Sequence, residues 1–323
     1  MSLYQRPLVP PNTHPIETGR YFIGTQEVKR MYNHIKQWIE NRAPGGIAHG
    51  RPRLGKTWAI SYMEKELPID FGEDLPVLKI RCQQNTRINE NSYYEELLTQ
   101  LGHELPYAGR KPIKSDRLNK FLQEKAERSG SNRIVLFIDD AQRLVPLQYN
   151  VLMDIYNYLK ECGISMTAIL VGQEELKHVR SAFIHAKQGQ IVGRFMVHEY
   201  KFSGIKTKEE LRICLNGYDS LSEYPEQSGW SYTRYYFPDA YDQGFRLQQC
   251  SDELYSTIEN ERKVKGITKP MEIPMQYLTL TIEYVFKRFG INGNNVANLS
   301  QVHWLDGLKK SGYIENELYN DLL

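Results

Sequence analysis

Two apolar patterns alternate along the first two thirds of this chain. Short, nearly continuous apolar runs are typical of strands buried on both faces, as in a parallel sheet. Between these runs, apolar residues recur at i, i+3, i+4 and i+7, which indicates amphipathic helices. Strands that alternate with helices predict a three-layer α/β fold with right-handed crossovers. The predicted strands are 46–49, 75–80, 133–140, 166–172 and, at the edge of the sheet, 195–202.

After residue 207 the pattern changes, because only helical periodicities and aromatic loops remain. We therefore predict three parts, with the main boundary near Gly204. They are an extended, Pro-rich arm (1–20), an α/β core (21–204) and a mostly helical C-terminal region (205–323). The better predicted helices are 25–40 with Thr25 as its cap, 57–66 ending before Pro68, 93–101, 116–128 with Ser115 as its cap, 146–162, 211–218, 247–263 and 275–289.

Composition narrows the class of protein. The 323 residues carry a formal net charge of only +2, so any nucleic-acid surface must be a local patch. No apolar run reaches membrane-spanning length, and the first residues lack the basic-then-apolar order of a signal peptide. The four cysteines are scattered singly, as in a reducing compartment. We expect a cytoplasmic protein with no membrane partner.

The segment after the first predicted strand matches the phosphate-binding pattern G-x-x-x-x-G-K-[ST] without a mismatch. Two glycines let the backbone curl so that consecutive N–H groups face a polyphosphate. Lys56 supplies a point charge for the terminal phosphates, and the Thr57 hydroxyl can hold Mg²⁺. A chance match in a Gly- and Arg-rich turn is the alternative, against which the flanking strand and helix argue. The predicted nucleotide-binding residues are Gly50, Arg51, Pro52, Arg53, Leu54, Gly55, Lys56, Thr57 and Trp58.

Two carboxylates end the apolar run at 134–138. Asp139 and Asp140 therefore lie at the carboxyl edge of the predicted sheet, where open α/β sheets bind ligands. Asp139 is predicted to hold Mg²⁺, and Asp140 to orient or deprotonate the attacking water. A buried strand that merely ends in solvated aspartates is the alternative interpretation.

The sequence lacks the motifs of other common hydrolases. The eight histidines show no metal-ligand spacing, and neither a G-x-S-x-G motif nor a Cys/His pair is present, which excludes a metal hydrolase and a serine hydrolase. The aromatic stretch 229–238 could stack on bases, but such stretches more often pack a long loop against its own domain. We favour packing.

Four motifs together resemble the AAA+ ATPases. They are 49–57, the F-I-D-D-A-Q segment at 137–142, the L-V-G-Q-E-E-L segment at 170–176, and G-R-F at 193–195. Within that family the chain is similar to the TnsC and TniB regulators of DDE transposases, and more distantly to Mu B, IstB and ExeA-type ATPases. The resemblance covers about residues 20–205. It implies a P-loop AAA+ parallel-sheet core, a C-terminal helical lid, and ATP with Mg²⁺ as cofactors.

The resemblance assigns two further roles. Gln173 matches the sensor-1 residue beside the γ-phosphate, and Arg194 matches the arginine finger that reaches the site of a neighbouring subunit. A finger supplied in trans couples assembly to hydrolysis and contributes about 10³–10⁵ in rate. The alternatives are a strand-end capping role for Gln173 and a surface salt bridge for Arg194.

Two departures from the family pattern matter. The second carboxylate is usually Glu, whereas Asp140 is one methylene shorter and stands further from the water; a misplacement of about 1 Å can cost about 10²-fold. We therefore expect slow, regulatory ATP hydrolysis. No clear sensor-2 motif is present, and Arg246 is only a weak candidate for that role.

A basic segment before the predicted helix 116–128 is the predicted DNA-contact surface. Backbone N–H groups at a helix start, with cations nearby, suit phosphate oxygens. In the resembling family this position faces DNA, and the alternative is a solvated basic loop. The predicted contacts are Arg110, Lys111, Lys114 and Arg117.

The resemblance implies an ATP-dependent regulator that assembles on double-stranded DNA as a hexameric ring or helical filament. It would recruit a transposase and respond to a target-selection protein, with hydrolysis driving disassembly. One alternative is a helicase loader of the IstB/DnaC type that grips single-stranded DNA. Another is a nucleotide-sensing scaffold that does not hydrolyse ATP.

Overall fold

The computed structural model describes residues 5–83 and 89–322 of the chain. Two compact units are present. The core unit comprises Arg30–Pro52 and Lys56–Phe202, and the helical unit comprises the residues up to Lys29, Arg53–Gly55 and the residues from Ser203 onward. The strands are β1 (Gly45–His49), β2 (Val77–Arg81), β3 (Arg133–Asp139), β4 (Ser165–Gly172) and β5 (His198–Lys201).

The α-helices follow in chain order. They are α1 (Pro15–Thr18), α2 (Gln26–Glu40), α3 (Lys56–Phe71), α4 (Glu90–Gln100), α5 (Lys111–Arg128), α6 (Pro146–Glu161), α7 (Glu175–His185), α8 (Gly189–Phe195), α9 (Lys208–Asn216), α10 (Tyr232–Tyr236), α11 (Pro238–Asp242), α12 (Ser251–Val264), α13 (Met275–Phe289), α14 (Gln301–Ser311) and α15 (Tyr313–Leu322).

The five strands form one parallel sheet in the order β2-β3-β4-β1-β5. Its register aligns the carboxyl ends, since Arg81 pairs with Asp139, and His49 pairs with both Gly172 and Lys201. The predicted parallel sheet and the edge position of the last strand are confirmed. The carboxyl ends of all five strands therefore lie at one edge of the sheet.

Burial explains why β3 occupies the interior of the sheet. The side chains from Ile134 to Ile138 are at most 4% exposed, and burying each large apolar side chain contributes about 1.5–3 kcal/mol. Close packing also constrains β1. A Cβ on Gly46 would lie 2.5 Å from the Trp38 ring, so only glycine lets α2 approach the sheet here.

Several element boundaries differ from prediction, and three of the differences have a clear physical reason. Helix α3 continues to Phe71 past Pro68, because an internal proline removes one backbone hydrogen bond while its φ suits a helix. Helix α5 begins at Lys111 rather than at 116, with a proline in its first turn, where the missing N–H costs little. The last strand is shorter than 195–202, since Phe195 ends α8.

The N-terminal segment belongs to the helical unit up to Lys29, whereas the sequence places residues 21–29 in the core. Ile16 and His14 are buried, and the Tyr21 hydroxyl donates to Glu283 on α13 at 3.0 Å. The predicted extended arm is thus partly buried within the helical unit. Its first four residues lie outside the described part of the chain.

The aromatic stretch 229–238 packs into the helical unit, as predicted. Its large rings are at most 7% exposed, and they contact one another and α13 edge-on. Buried rings are not available for base stacking. Separately, none of the helices in the described ranges has the length and apolarity needed to cross a bilayer.

Candidate nucleotide-binding site

The loop between β1 and α3 begins where the sheet ends. Its backbone curls through two residues with positive φ, Arg53 at 66° and Gly55 at 103°. The second of these angles is strained for any residue with a side chain, which explains the glycine at that place. The first strand, loop and helix therefore occur in the order that the motif requires.

Lys56 lies in the first turn of α3, and two backbone carbonyls of the loop fix its side chain. Its ammonium donates to the carbonyls of Gly50 at 2.7 Å and Arg51 at 2.6 Å, which folds the loop around it. Burial lowers the pKa of Lys56 to about 8, while the nearby carboxylates, Asp139 first, oppose that shift. A buried ammonium is costly unless its charge is compensated, and Lys56 has no salt bridge within the described residues, so an anion would be well placed here.

Thr57 and Asp139 face the same point. The threonine hydroxyl donates to the buried Asp139 carboxylate at 2.9 Å. A hydroxyl and a carboxylate are hard oxygen ligands of the kind Mg²⁺ prefers, and Mg²⁺ commonly keeps water and phosphate oxygens as its other ligands. These two residues fit the ion and would hold it beside a triphosphate.

Asp140 adopts a left-handed backbone conformation, with φ 56° and ψ 34°. Its amide donates to Asp139 Oδ1 at 3.0 Å, and its own carboxylate accepts from Arg81 Nε at 3.1 Å. The sequence does not point to Arg81. Arg81 ends β2 in register with Asp139, so its contact with the neighbouring Asp140 could be inferred only once the strand order was known.

Gln142 joins the two strand ends. Its amide nitrogen lies 3.4 Å from Asp140 Oδ1, and its amide oxygen accepts from the Gln173 backbone N–H at 3.2 Å. This contact orients the segment after β4. The structure thus brings Lys56, Thr57, Asp139, Asp140 and Gln173 to one edge of the sheet, while the sensor role of Gln173 stays a prediction.

His49 is a further residue that motif reasoning missed as a site component. Its imidazole is fully buried directly before Gly50, between two carboxylates. Trp58, by contrast, is half exposed on α3. The sequence shows a histidine directly before the phosphate loop, but it does not show that this histidine is buried.

Arg194 lies on α8 with its guanidinium 5.6 Å from the Tyr156 ring. That cation–π contact is compatible with a half-exposed surface side chain. A finger acts on the site of another subunit, so its assignment stays a prediction. In the helical unit, Arg246 donates to the carbonyls of Tyr241 and Phe245, a local role in its own turn.

Two of the four predicted DNA-contact residues, Lys114 and Arg117, bind other groups of the core unit. Lys114 is 2% exposed, pairs with Glu95 and donates to Asn91, because its helix starts earlier than predicted and turns it inward. Lys114 is therefore not a surface phosphate contact. Arg117 donates to the carbonyls of Leu105 and Ala108 at 2.6 and 2.7 Å, which braces the preceding loop.

Two members of that set remain on the surface. Arg110 is exposed and caps α5 without a side-chain hydrogen bond. Lys111 is exposed but forms an ion pair with Glu90. The predicted surface is thus smaller than the basic segment suggested, and its DNA contact stays a prediction.

The parallel sheet, the curled loop and the carboxylate pair define the α/β P-loop AAA+ fold with a helical C-terminal region. Comparison with known proteins agrees with this class. The model of a protein family described as "AAA domain" matches residues 39–179. No curated protein sequence matches this one significantly.

Solved structures with the same fold include the ORC2 protein of Aeropyrum pernix. In its ADPNP–ADP complexes that protein has a TM-score of 0.61 and 11% sequence identity, and the match covers 92% of this chain and 71% of that chain. In its ADP form the TM-score is 0.58 at 11% identity, with 96% and 72% covered. The AAA+ part of the resemblance is confirmed, while the narrower likeness to TnsC and TniB stays a prediction.

Proposed function

We propose that this protein is an ATP- and Mg²⁺-dependent AAA+ regulator of DNA transposition that assembles on double-stranded DNA. One observation carries the nucleotide part: a buried Lys56 ammonium, without a salt bridge in the described part of the chain, beside the Thr57–Asp139 pair at the carboxyl edge of a parallel sheet. The ADPNP and ADP in the similar ORC2 structures support the same ligand class.

Each site residue has a separate proposed role. Lys56 neutralises charge on the terminal phosphates, and Thr57 and Asp139 fix the metal position. Mg²⁺ held there would supply positive charge beside the phosphate oxygens. Asp140 orients the attacking water, and Arg194 of an adjoining subunit completes the site. Because Arg81 occupies the Asp140 carboxylate in a single chain, turnover is slow until assembly or DNA displaces it.

Binding would favour the assembled state by mass action, since ATP contacts at a subunit seam stabilise only that state. The assembly would mark target DNA and recruit a transposase together with a target-selection protein. The motif similarity to TnsC and TniB supports this part of the proposal. Hydrolysis would return the subunits to the dissociated state.

Calorimetry with ATP and Mg²⁺ tests the nucleotide site. We expect binding by the wild-type protein, and none by Lys56→Ala at a comparable unfolding temperature. Electron microscopy with a non-hydrolysable ATP analogue then tests assembly. Ordered rings or filaments on duplex DNA support the transposition role, whereas assembly on single-stranded DNA alone favours the helicase-loader alternative.

A further inference from the structure

A chain of polar contacts runs from the catalytic carboxylate to the far edge of the core sheet. Gln142 connects Asp140 to the Gln173 backbone, with contacts of 3.4 and 3.2 Å. A Cβ on Gly172 would lie 2.3 Å from the Gln142 amide oxygen, so the glycine leaves room for this side chain between the strand ends.

The chain of contacts continues through the residue after Gln173. Glu174 Oε2 lies 3.1 Å from His49 Nδ1, a close polar contact without hydrogen-bond alignment. On the other side of the ring, His49 Nε2 lies 2.9 Å from Glu199 Oε1 on β5. Glu199 in turn accepts from Arg180 on α7 at 2.7 Å.

His49 has no exposed surface, whereas both of its carboxylate partners are only half buried. Lys177 lies 3.5 Å from Glu174 and 3.6 Å from Glu199, and Lys201 lies 3.9 Å from Glu174. A buried polar ring is costly unless it is satisfied. The position of this ring directly before the phosphate loop, between two partly exposed carboxylates, suggests a role beyond packing.

We propose that His49 is a positioning residue that ties the strand end carrying Gln173 to edge strand β5, so that these segments respond together during ATP turnover. The inference rests on the proposed ATPase function. Loss of the imidazole would free Glu174 and let the Gln173 segment move. Lys56 and Thr57 would keep their contacts, so turnover falls while nucleotide affinity is retained.

The test compares kcat with the calorimetric Kd for ATP and Mg²⁺. His49→Gln keeps polarity but reaches only one carboxylate, and we expect kcat to fall at least about tenfold, since a displacement of about 1 Å can cost about 10²-fold. We expect Kd to change less than twofold. The matched control is His198→Gln on β5, whose exposed ring packs on Trp38 outside the contact chain.

A second control separates positioning from general destabilisation. Thr167→Val removes a buried hydrogen bond to the Ala43 carbonyl near the opposite end of β4. If this variant lowers kcat as much as His49→Gln does, His49 has only a structural role and the inference is overturned. A folded His49→Gln protein with wild-type kcat also overturns it.

Should His49→Gln fail to fold, Glu174→Gln and Glu199→Gln provide the same test through half-exposed positions. Each should lower kcat, and the double variant should cost less than the sum of the two in free energy, because both act through one ring. Additive effects overturn the inference. Absence of ATP binding by the wild-type protein overturns the proposed function itself, which distinguishes the two failures.

Discussion

Arg81 holds the carboxylate of Asp140, the residue proposed to orient the attacking water: its Nε donates to Asp140 Oδ2 at 3.1 Å. The two residues come from neighbouring strands, and the arginine side chain is 69% exposed. An exposed ion pair of this kind is weak and easily exchanged for another partner. The Asp140 carboxylate is thus restrained by a contact that competing charged groups can break.

Replacing Arg81 with alanine should raise basal ATP turnover. An exposed ion pair contributes up to about 1 kcal/mol, so we expect an increase of up to about fivefold in kcat. A steady-state phosphate-release assay without DNA measures it. Arg143→Ala, which removes an exposed arginine from the turn after Asp140, is the control. Unchanged or reduced turnover in Arg81→Ala would contradict the restraint.

Asp140→Asn should lower kcat by about 10²–10⁴-fold and leave ATP affinity intact, because an amide cannot accept a proton from water. Asp140→Glu is the informative companion. Its extra methylene brings the carboxylate towards the water, and we expect faster turnover than in the wild type. Phosphate release and calorimetry on the same preparations give both quantities. Full activity in Asp140→Asn would remove Asp140 from the chemistry.

Arg194→Ala should spare nucleotide binding by the isolated chain and reduce turnover only under assembly conditions. A finger in trans contributes about 10³–10⁵ in rate. Mixing experiments provide the sharpest measurement: an inactive Asp140→Asn chain should rescue Arg194→Ala turnover, since each supplies what the other lacks. Absence of rescue, with assembly verified by sedimentation, would refute the finger assignment.

Lys114 and Arg110 should respond differently to alanine substitution. Lys114→Ala breaks a buried pair with Glu95, and we expect a loss of about 1–3 kcal/mol in unfolding free energy. Arg110→Ala should leave stability unchanged and lower the salt dependence of duplex-DNA binding by about one unit of slope. Denaturant titration and binding assays at several salt concentrations test both. A stable Lys114→Ala chain with weakened DNA binding would show that Lys114 contacts DNA and does not serve a structural role.

Acidification should destabilise the helical unit through His14. Burial, and secondarily the charge of Arg6, lowers the pKa of His14 to about 4. Its pKa in the unfolded chain is about 6.5. Between these values the unfolded chain binds more protons, so stability falls as pH falls, by up to about 3 kcal/mol.

Unfolding followed at pH 7, 5.5 and 4 measures this loss. In His14→Phe, which fits among the same aromatic rings, part of the pH dependence should disappear. The exposed His34 is the control position, and His34→Gln should retain the wild-type profile. An identical profile in His14→Phe would mean that other groups dominate the acid response.

Local patterns were enough to predict the parallel sheet, the phosphate loop and the Asp139–Asp140 pair. Each of these depends on a contiguous segment whose periodicity or motif carries its own physical reason. The role of Arg81 could not be predicted, because it depends on which strands are neighbours. Lys114 was misjudged for a related reason. A shift of about five residues in a helix start turns a side chain from solvent to core, and charge alone does not reveal this.

The absence of a side chain at Gly172 leaves room for Gln142. One added methyl group there would displace the Gln142 amide oxygen, and with it the contacts to Asp140 and to the Gln173 N–H, while the Lys56 and Thr57 contacts would remain. Gly172→Ala would thus separate holding a nucleotide from cleaving it, and would provide a trapped form of the protein for capturing its assemblies.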